Sequence, residues 1–473
     1  MSSVSALNSL LASTSSTSAI DLSQILQAAT GASAAGIDVT SAVNAAVTAA
    51  RASETAWENQ ESTLQSQANA LTQLQTDTTN IDNDVQALNS ITGPLSARTV
   101  SSSNSSIVSA SAASGSAVGN HTVMVTSLAS TASWASGTVA SASTALAAGS
   151  FAITGPTGNT TTISTGTGTS TLSDVAKTIN SDNLGVTASV ITEANGARLA
   201  IVSSNSGAAG NFSVAAGTGG LTFAQAVPGA NASLTVDGIQ IASASNTVTG
   251  ALPGITLNLL NASPGTNVSL AIAPDTAQAS TAINQFVTDY NKAIADLNTQ
   301  FTFNGVSEGA LATDSAVLSL QMTLEGALSY TYTPDSGTTT MSNLSSMGVT
   351  VNNDGTLNVN SATLNNALQN NYGDVQNFFQ GAALNGFANS VDQQLTSFIS
   401  PADGAFTVDL SSINTQYSGL QTDISNFETN YITPLKAQLT SEYSQAEILL
   451  QQLPTEMQQI NTELGLNNKS SGG

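Results

Sequence analysis

The single histidine, His121, stands between Asn120 and Thr122 at the head of a strand-like run. One imidazole cannot make a two-histidine metal site, and no His–carboxylate–Ser arrangement can be assembled around it within one chain. His121 therefore reads as a surface polar residue. Asn352-Asn353-Asp354-Gly355 resembles part of a calcium loop, but Thr350 and Ser361 fall where the first and twelfth ligands of an EF-hand would be. A hairpin turn accounts for it without metal. The acidic residues are scattered singly. Two of them could meet in the fold as a glycosidase pair, yet with Trp57 and Trp134 the only tryptophans a sugar-stacking platform is not expected. Glycine is plentiful, but no phosphate-binding loop with its lysine is present. The expectation is a protein that is not an enzyme, with no catalytic, cofactor-binding or metal-ligating residues and no cofactor.

The chemistry that remains is apolar and periodic. Val43, Ala50, Trp57, Leu64 and Leu71 recur every seven positions, followed by a polar Thr78 and then Val85; Leu74, Ile81 and Leu88 form a second column. At the other end Ile413, Tyr417, Leu420, Ile424, Phe427 and Tyr431 do the same. Leu439, Tyr443, Ala446, Leu450, Leu453, Met457, Ile460 and Leu464 continue the pattern. Such three–four spacing marks a coiled-coil seam. Trp57 to Leu88 against Ile413 to Phe427 is expected to form an intramolecular helical leg. The apolar burial offered by Leu439 to Leu464 falls short of the entropy of ordering the helix that carries it. That stretch needs a partner, either the chain's own residues 20–50 or neighbouring molecules, and Leu439, Tyr443, Leu450, Leu453, Met457, Ile460 and Leu464 are its candidate interface.

The 473 residues suffice for several domains. Net charge is −23 with seven Lys plus Arg, which excludes a phosphate-neutralising nucleic-acid groove and disfavours acidic membranes. There is no cysteine, so disulfides and thiolate chemistry are excluded. No run approaches 18 apolar residues, so no membrane insertion is expected. The first 30 residues lack a basic n-region and a continuous apolar core, so no cleavable secretory signal is expected.

Along the chain, Ser/Thr/Ala-rich residues 1–36 precede Gly36-Ile37-Asp38-Val39-Thr40, where Asp38 or Thr40 can cap the long helix. Gly93-Pro94 ends it. Periodicity then drops to two. Thr122 to Thr126 is a strand, and Leu172, Val175, Ala176 and Ile179 share a helical face with Ser173 placed to cap. Asn195-Gly196 and Asp237-Gly238 are hairpin turns. From Asp275 the helical period returns, interrupted by a hairpin pairing Val349 and Val351 with Leu357 and Val359, after which Ser361 can cap a helix. Thr433 before Pro434 can restart a helix, and Pro454 ends or kinks one. The fold class is α+β, multidomain, with long terminal helices forming a coiled-coil-like leg and a β-rich middle of two nested lobes. The expected divisions are terminal segments 1–42 and 438–473, disordered or helical on assembly, a helical leg of 43–105 and 275–437 with a small β hairpin, one β lobe of 106–131 and 229–274, and an inserted lobe of 132–228.

Specific residues carry a family resemblance. Gly36-Ile37-Asp38-Val39, Ser102-Ser103-Asn104-Ser105-Ser106 and Gly119 to Val125 resemble the N-terminal block of the flagellar filament-cap family, flagellar hook-associated protein 2. Leu172 to Val202, with Ile179-Asn180, resembles the repeat of flagellins and hook-associated proteins named for its Ile-Asn pair. Val236-Asp237-Gly238, Asn246-Thr247-Val248, Pro253 to Leu257, Pro274-Asp275, Phe286-Val287, Tyr290-Asn291 and Asp354 to Leu357 follow the family's C-terminal block in order. The resemblance covers about residues 36 to 460.

It implies a structural protein at the extracellular tip of the bacterial flagellum, exported by the flagellar type III apparatus. Such a protein self-assembles into a ring, often of five subunits, and promotes folding and insertion of flagellin. It also implies contact with hook–filament junction proteins, an export chaperone on the C-terminal helix and, in some members, adhesion to host mucin. A flagellin-like or hook–filament junction protein is the first alternative, and a secreted adhesin or carbohydrate-binding protein the second.

Overall fold

The computed structural model describes residues 38–166, 170–218, 220–302, 309–334 and 339–463, apart from the side chains of Leu453 and Met457. Helix α1 (Val39–Ala50) begins at Asp38, whose carboxylate accepts the Ser41 N–H at 3.1 Å. The chain breaks at Arg51 and resumes as α2 (Ala52–Asn89), 38 residues or about 57 Å of helical rise. A 3-10 turn, Pro94–Ser96, follows Gly93. Helix α3 (Leu172–Ser181) lies within the β region. After it come α4 (Thr276–Phe301), α5 (Ser315–Ala327), α6 (Ser361–Asn370), α7 (Tyr372–Gln380), α8 (Phe387–Ile399) and α9 (Ala405–Phe427). A π-turn, Glu428–Ile432, leads into α10 (Thr433–Glu463).

Four expectations about helix ends need correction. The N-cap of α3 is Thr171, not Ser173: its hydroxyl and the Asp174 side chain form a reciprocal capping box. The N-cap of α6 is Asn360, whose amide oxygen accepts the Thr363 N–H at 3.1 Å, so Ser361 is already inside the helix. Thr433 has helical dihedrals, φ −62° and ψ −47°, so it is the first residue of α10 and not an N-cap outside it. The π-turn carries the chain into α10 without a stop. Of the two outcomes expected at Pro454, the end is ruled out: the proline lies inside α10, which continues to Glu463 at the cost of one backbone hydrogen bond.

The chain divides into two compact units. The first takes the described residues up to Thr76, Asp296–Leu320 and those from Ser397 onwards; the second takes Asp77–Ala295 and Gln321–Thr396. This division cuts through the helical leg expected as one domain, because α2, α4, α5 and α8 each contribute to both units.

The second unit holds the β lobes. A five-stranded antiparallel sheet runs Arg98–Ser102, Val268–Pro274, Gly119–Ser127, Ala232–Val236, Ile239–Ser243 in spatial order. It shares a core, including Val123, Val125, Leu234, Leu257 and Leu270, with a three-stranded sheet of Thr247–Leu252, Ile255–Leu259 and Val108–Ala112. Asp237 and Gly238, at φ 51° and 83°, make the turn between Val236 and Ile239, a conformation these two residue types tolerate. The inserted lobe pairs a four-stranded sheet, Phe223–Val227, Thr131–Ser136, Gly196–Ser206 and Val186–Glu193, with a three-stranded one, Thr160–Thr165, Gly149–Thr154 and Ser213–Ala216. Phe151, Leu172, Ile179, Leu199 and Ile201 fill it.

Where strands run out, asparagine amides replace them. Asn180 accepts the Ala188 N–H at 2.7 Å and donates to its carbonyl at 2.9 Å. Asn246 does the same for Ala129 (2.7 and 3.0 Å), Asn211 for Gly229 (2.9 and 2.7 Å), and Asn291 for Leu357 (2.5 and 2.8 Å). Each amide supplies the donor and acceptor that a neighbouring strand would have offered. The Ile-Asn pair is thus explained: Ile179 is buried in the lobe core and Asn180 ties its helix to the following strand.

The helical part of the second unit is built on aromatics. Phe286 and Phe387 meet edge-on at 5.8 Å, and Phe378 stacks on Phe387 at 5.3 Å. Gln380, buried, donates to the carbonyls of Leu88 (3.2 Å) and Ser90 (3.1 Å), satisfying acceptors that the end of α2 leaves open.

Candidate assembly surface

Of the seam residues at the N-terminal end, Leu64, Leu71, Leu74, Ile81 and Leu88 are buried, the last four at most 1% exposed, and Trp57 is half-buried. Polar Thr78 is buried too. In the first unit α9 runs antiparallel to α2: Trp57 meets Phe427 edge-on at 5.4 Å, Gln421 donates to Glu61 at 3.0 Å, and Gln75 donates to Thr407 at 3.5 Å. Ile413 and Leu420 are buried, and Tyr417, Ile424 and Phe427 half-buried. The later part of α2, with Ile81 and Leu88, lies in the second unit, against α4, α7 and α8. The helical leg therefore has two sets of partners for one helix. The expected pairing with Ile413 to Phe427 describes the part up to Thr76 only.

Beyond Phe427 the seam changes character. Val43, Val47 and Ile432 form a small buried cluster, with Val39, Ala50, Phe427, Leu439 and Tyr443 packed on it. Arg51, at the break between α1 and α2, reaches Glu54 at 3.1 Å and Glu428 at 2.6 Å. Burial of Glu54, with Glu428 facing it, pushes its carboxyl above the usual range, and the Arg51 guanidinium opposes that. Two helical irregularities, the break at Arg51 and the π-turn at Glu428, are thus fastened to each other. Further along α10 the apolar residues face solvent: Leu450 is 47% exposed and Ile460 53%, with Ile448 and Leu449 beside them exposed as well. Leu453 and Met457 lie on this helix, while Leu464 falls outside the described residues.

The candidate chemical residues that are described take part in structural contacts. His121 Nδ1 lies 2.7 Å from Asp237 Oδ2, and Asp237 Oδ1 accepts the Thr122 N–H at 2.8 Å, so the pair ties the Asp237-Gly238 turn to the neighbouring strand Gly119–Ser127. Carboxyls do meet, as sequence reading allowed, but Asp82 with Asp392, Asp84 with Asp289 and Glu54 with Glu428 face each other across packed helices. An open pocket of about 330 Å³ in the first unit is lined by Asp314 and Asp409 among others, none of them aromatic. Asp314 is committed to the N–H groups of Ala316 and Val317 at the start of α5. Among the described residues there is no group of three His, Cys, Asp or Glu that could hold a metal ion, and no helix is long and apolar enough to cross a membrane.

The model for the C-terminus of flagellar hook-associated protein 2 matches residues 229–455, and that for its N-terminus matches residues 35–132. The chain belongs to the flagellar hook-associated protein 2 family. The two matches flank a third, to the flagellin hook IN motif, over residues 150–205, within the inserted lobe that Asn180 braces. The family's Escherichia coli K12 member, flagellar hook-associated protein 2, is 27% identical across 92% of this chain and 97% of its own length. The B-type flagellar hook-associated protein 2 of Pseudomonas aeruginosa is 27% identical over 60% of the chain. The lateral flagellar hook-associated protein 2 of Vibrio parahaemolyticus is 26% identical over 61%. The match spans 66% of the length of each of these last two relatives. The crystal structure of the D1-D2-D3 domains of the Escherichia coli flagellar cap protein FliD superposes with a TM-score of 0.59 at 27% identity, covering 73% of this chain and 99% of that one. None of these relatives is named as an enzyme.

Proposed function

We propose that this protein caps the distal tip of the bacterial flagellar filament, outside the cell, as a self-assembling ring that promotes folding and insertion of flagellin. The observation that carries this is the ordered match of both ends to one family, on a fold shared with a flagellar cap protein. The role needs shape and surface rather than a reaction centre, which agrees with carboxyls that cap, clamp and close turns. Export through the flagellar apparatus fits a chain without cysteine, which carries no disulfide to hold it folded.

The exposed apolar positions of α10, Leu450 and Ile460 with their continuation through Leu453, Met457 and Leu464, are the assembly surface in this reading. The same helix presents itself to an export chaperone before assembly. Leu439 and Tyr443 anchor its base on α1. A ring of five subunits and contact with flagellin and hook–filament junction proteins complete the proposal. Deleting the gene in the motile parent tests it: flagellin secreted into the medium without polymerising is expected, and normal filaments would rule the role out.

A further inference from the structure

The last third of α2 carries one buried acid, Asp82, and one half-buried acid, Asp84, for which ion pairing offers no explanation. Asp82 is 6% exposed, and its Oδ1 has no hydrogen-bond partner among the described residues. Its other oxygen, Oδ2, accepts from Gln86 Nε2 at 2.8 Å, and the same nitrogen donates to Asp392 Oδ1, on α8, also at 2.8 Å. Asp84 Oδ2 is likewise buried and unpartnered, and this side chain faces Asp289 of α4, which accepts from Gln285 at 2.8 Å.

We propose that Asp82 with Asp392, and Asp84 with Asp289, each hold one proton between their two carboxyls and so fasten α2 to α8 and to α4. This packing then tightens in mildly acid solution and loosens in alkaline solution. Two like charges repel at a contact where one oxygen of each α2 acid is shut off from water, whereas an O–H···O bond satisfies that orphaned oxygen and removes one charge. Gln86 bridges the first pair from the side and fixes its two carboxyls at a common donor. No described cation faces either pair. The groups acting on Asp82 and Asp84 are Asp392 from α8 and Asp289 from α4, while Lys292 of α4 is paired with Asp77. The Glu54–Glu428 contact of the first unit is the internal contrast, because there Arg51 bonds both acids.

The direction of titration agrees. Burial first and Asp392 second push the Asp82 carboxyl up to about 6; burial first and Asp289 second push Asp84 up to about 7. A carboxyl raised above its unfolded value of about 4 contributes stability that is fully present below that value. The contribution is lost as pH rises through 6 and 7.

The test uses the full chain. Amide exchange along residues 79–88, corrected for the intrinsic pH dependence of exchange, and the thermal transition are followed between about pH 5 and about pH 8.5. Wild type is expected to lose protection in that segment and several degrees of melting temperature as pH rises. The double variant Asp82→Asn/Asp84→Asn, whose amides donate at any pH, is expected to keep both. Unchanged corrected protection in wild type overturns the proposal, as does a double variant with the wild-type pH dependence. If that variant does not fold, Asp392→Asn/Asp289→Asn changes the opposite member of each pair and must flatten the same profile, and the wild-type exchange result stands by itself.

Discussion

Leu71 and Leu450 occupy the same kind of position in two apolar repeats, yet one is fully buried and the other 47% exposed. The difference lies in what surrounds each helix. Around Leu71 the neighbours come from within the chain: α9 alongside α2, held by the Trp57–Phe427 contact at one end and the Gln75–Thr407 bond at the other. Around Leu450 no described element packs on the helix, since among the described residues α1 reaches α10 only at the cluster of Val43, Val47 and Tyr443. An identical periodicity therefore encodes a core in one place and, among the described residues, an uncovered face in the other. The boundary between them is marked by Arg51 and the π-turn at Glu428.

The contrast can be broken from the inside with the largest effect. Leu71→Ala leaves a cavity in a closed core and is expected to cost about 2–5 kcal/mol in chemical unfolding. Leu450→Ala in the monomer should stay within about 0.5 kcal/mol, as at other exposed sites. Comparable losses at both positions would erase the distinction. A smaller and local effect is expected at the boundary. Arg51→Gln removes the cation between Glu54 and Glu428 and should cost on the order of 1 kcal/mol, because the guanidinium is partly exposed and screened. Its signature is amide protection lost across residues 39–50 with the β lobes unaffected. The sign with pH follows from Glu54, whose carboxyl is already raised by burial. Without Arg51 the penalty grows as pH rises above the ordinary glutamate range near 4 and fades below it. A pH-independent penalty would mean that Arg51 acts through packing alone.

Much of the architecture was legible because it is local. The heptads of α2 and α9, the Asp237-Gly238 turn, the Val349–Val359 hairpin and the cap at Asp38 follow from spacing and turn chemistry within a few residues; the hairpin expected at Asn195-Gly196 forms one residue earlier, because Glu193 pairs with Gly196 and leaves Ala194-Asn195 as its turn. What escaped is long-range. Asp82 and Asp392 look like isolated acids until the fold brings together residues 310 positions apart; so do Asp84 and Asp289. The role of Asn180, Asn211, Asn246 and Asn291 as substitute strand partners is invisible in composition, although three of the four sit in motifs that resemble the family. The seam itself misled in one respect. Periodicity reports that a face is apolar but not which element covers it, so α2 reads as one half of a single hairpin when its later turns belong with α4, α7 and α8.

The central claim, that the exposed face of α10 is where copies of the chain meet, is tested most directly by comparing wild type and Leu450→Asp in negative-stain images and sedimentation velocity at equal concentration. Wild type should form closed rings or stacked pairs of rings. The variant should remain monomeric while keeping the wild-type thermal transition. Rings of wild-type size from Leu450→Asp would contradict the claim.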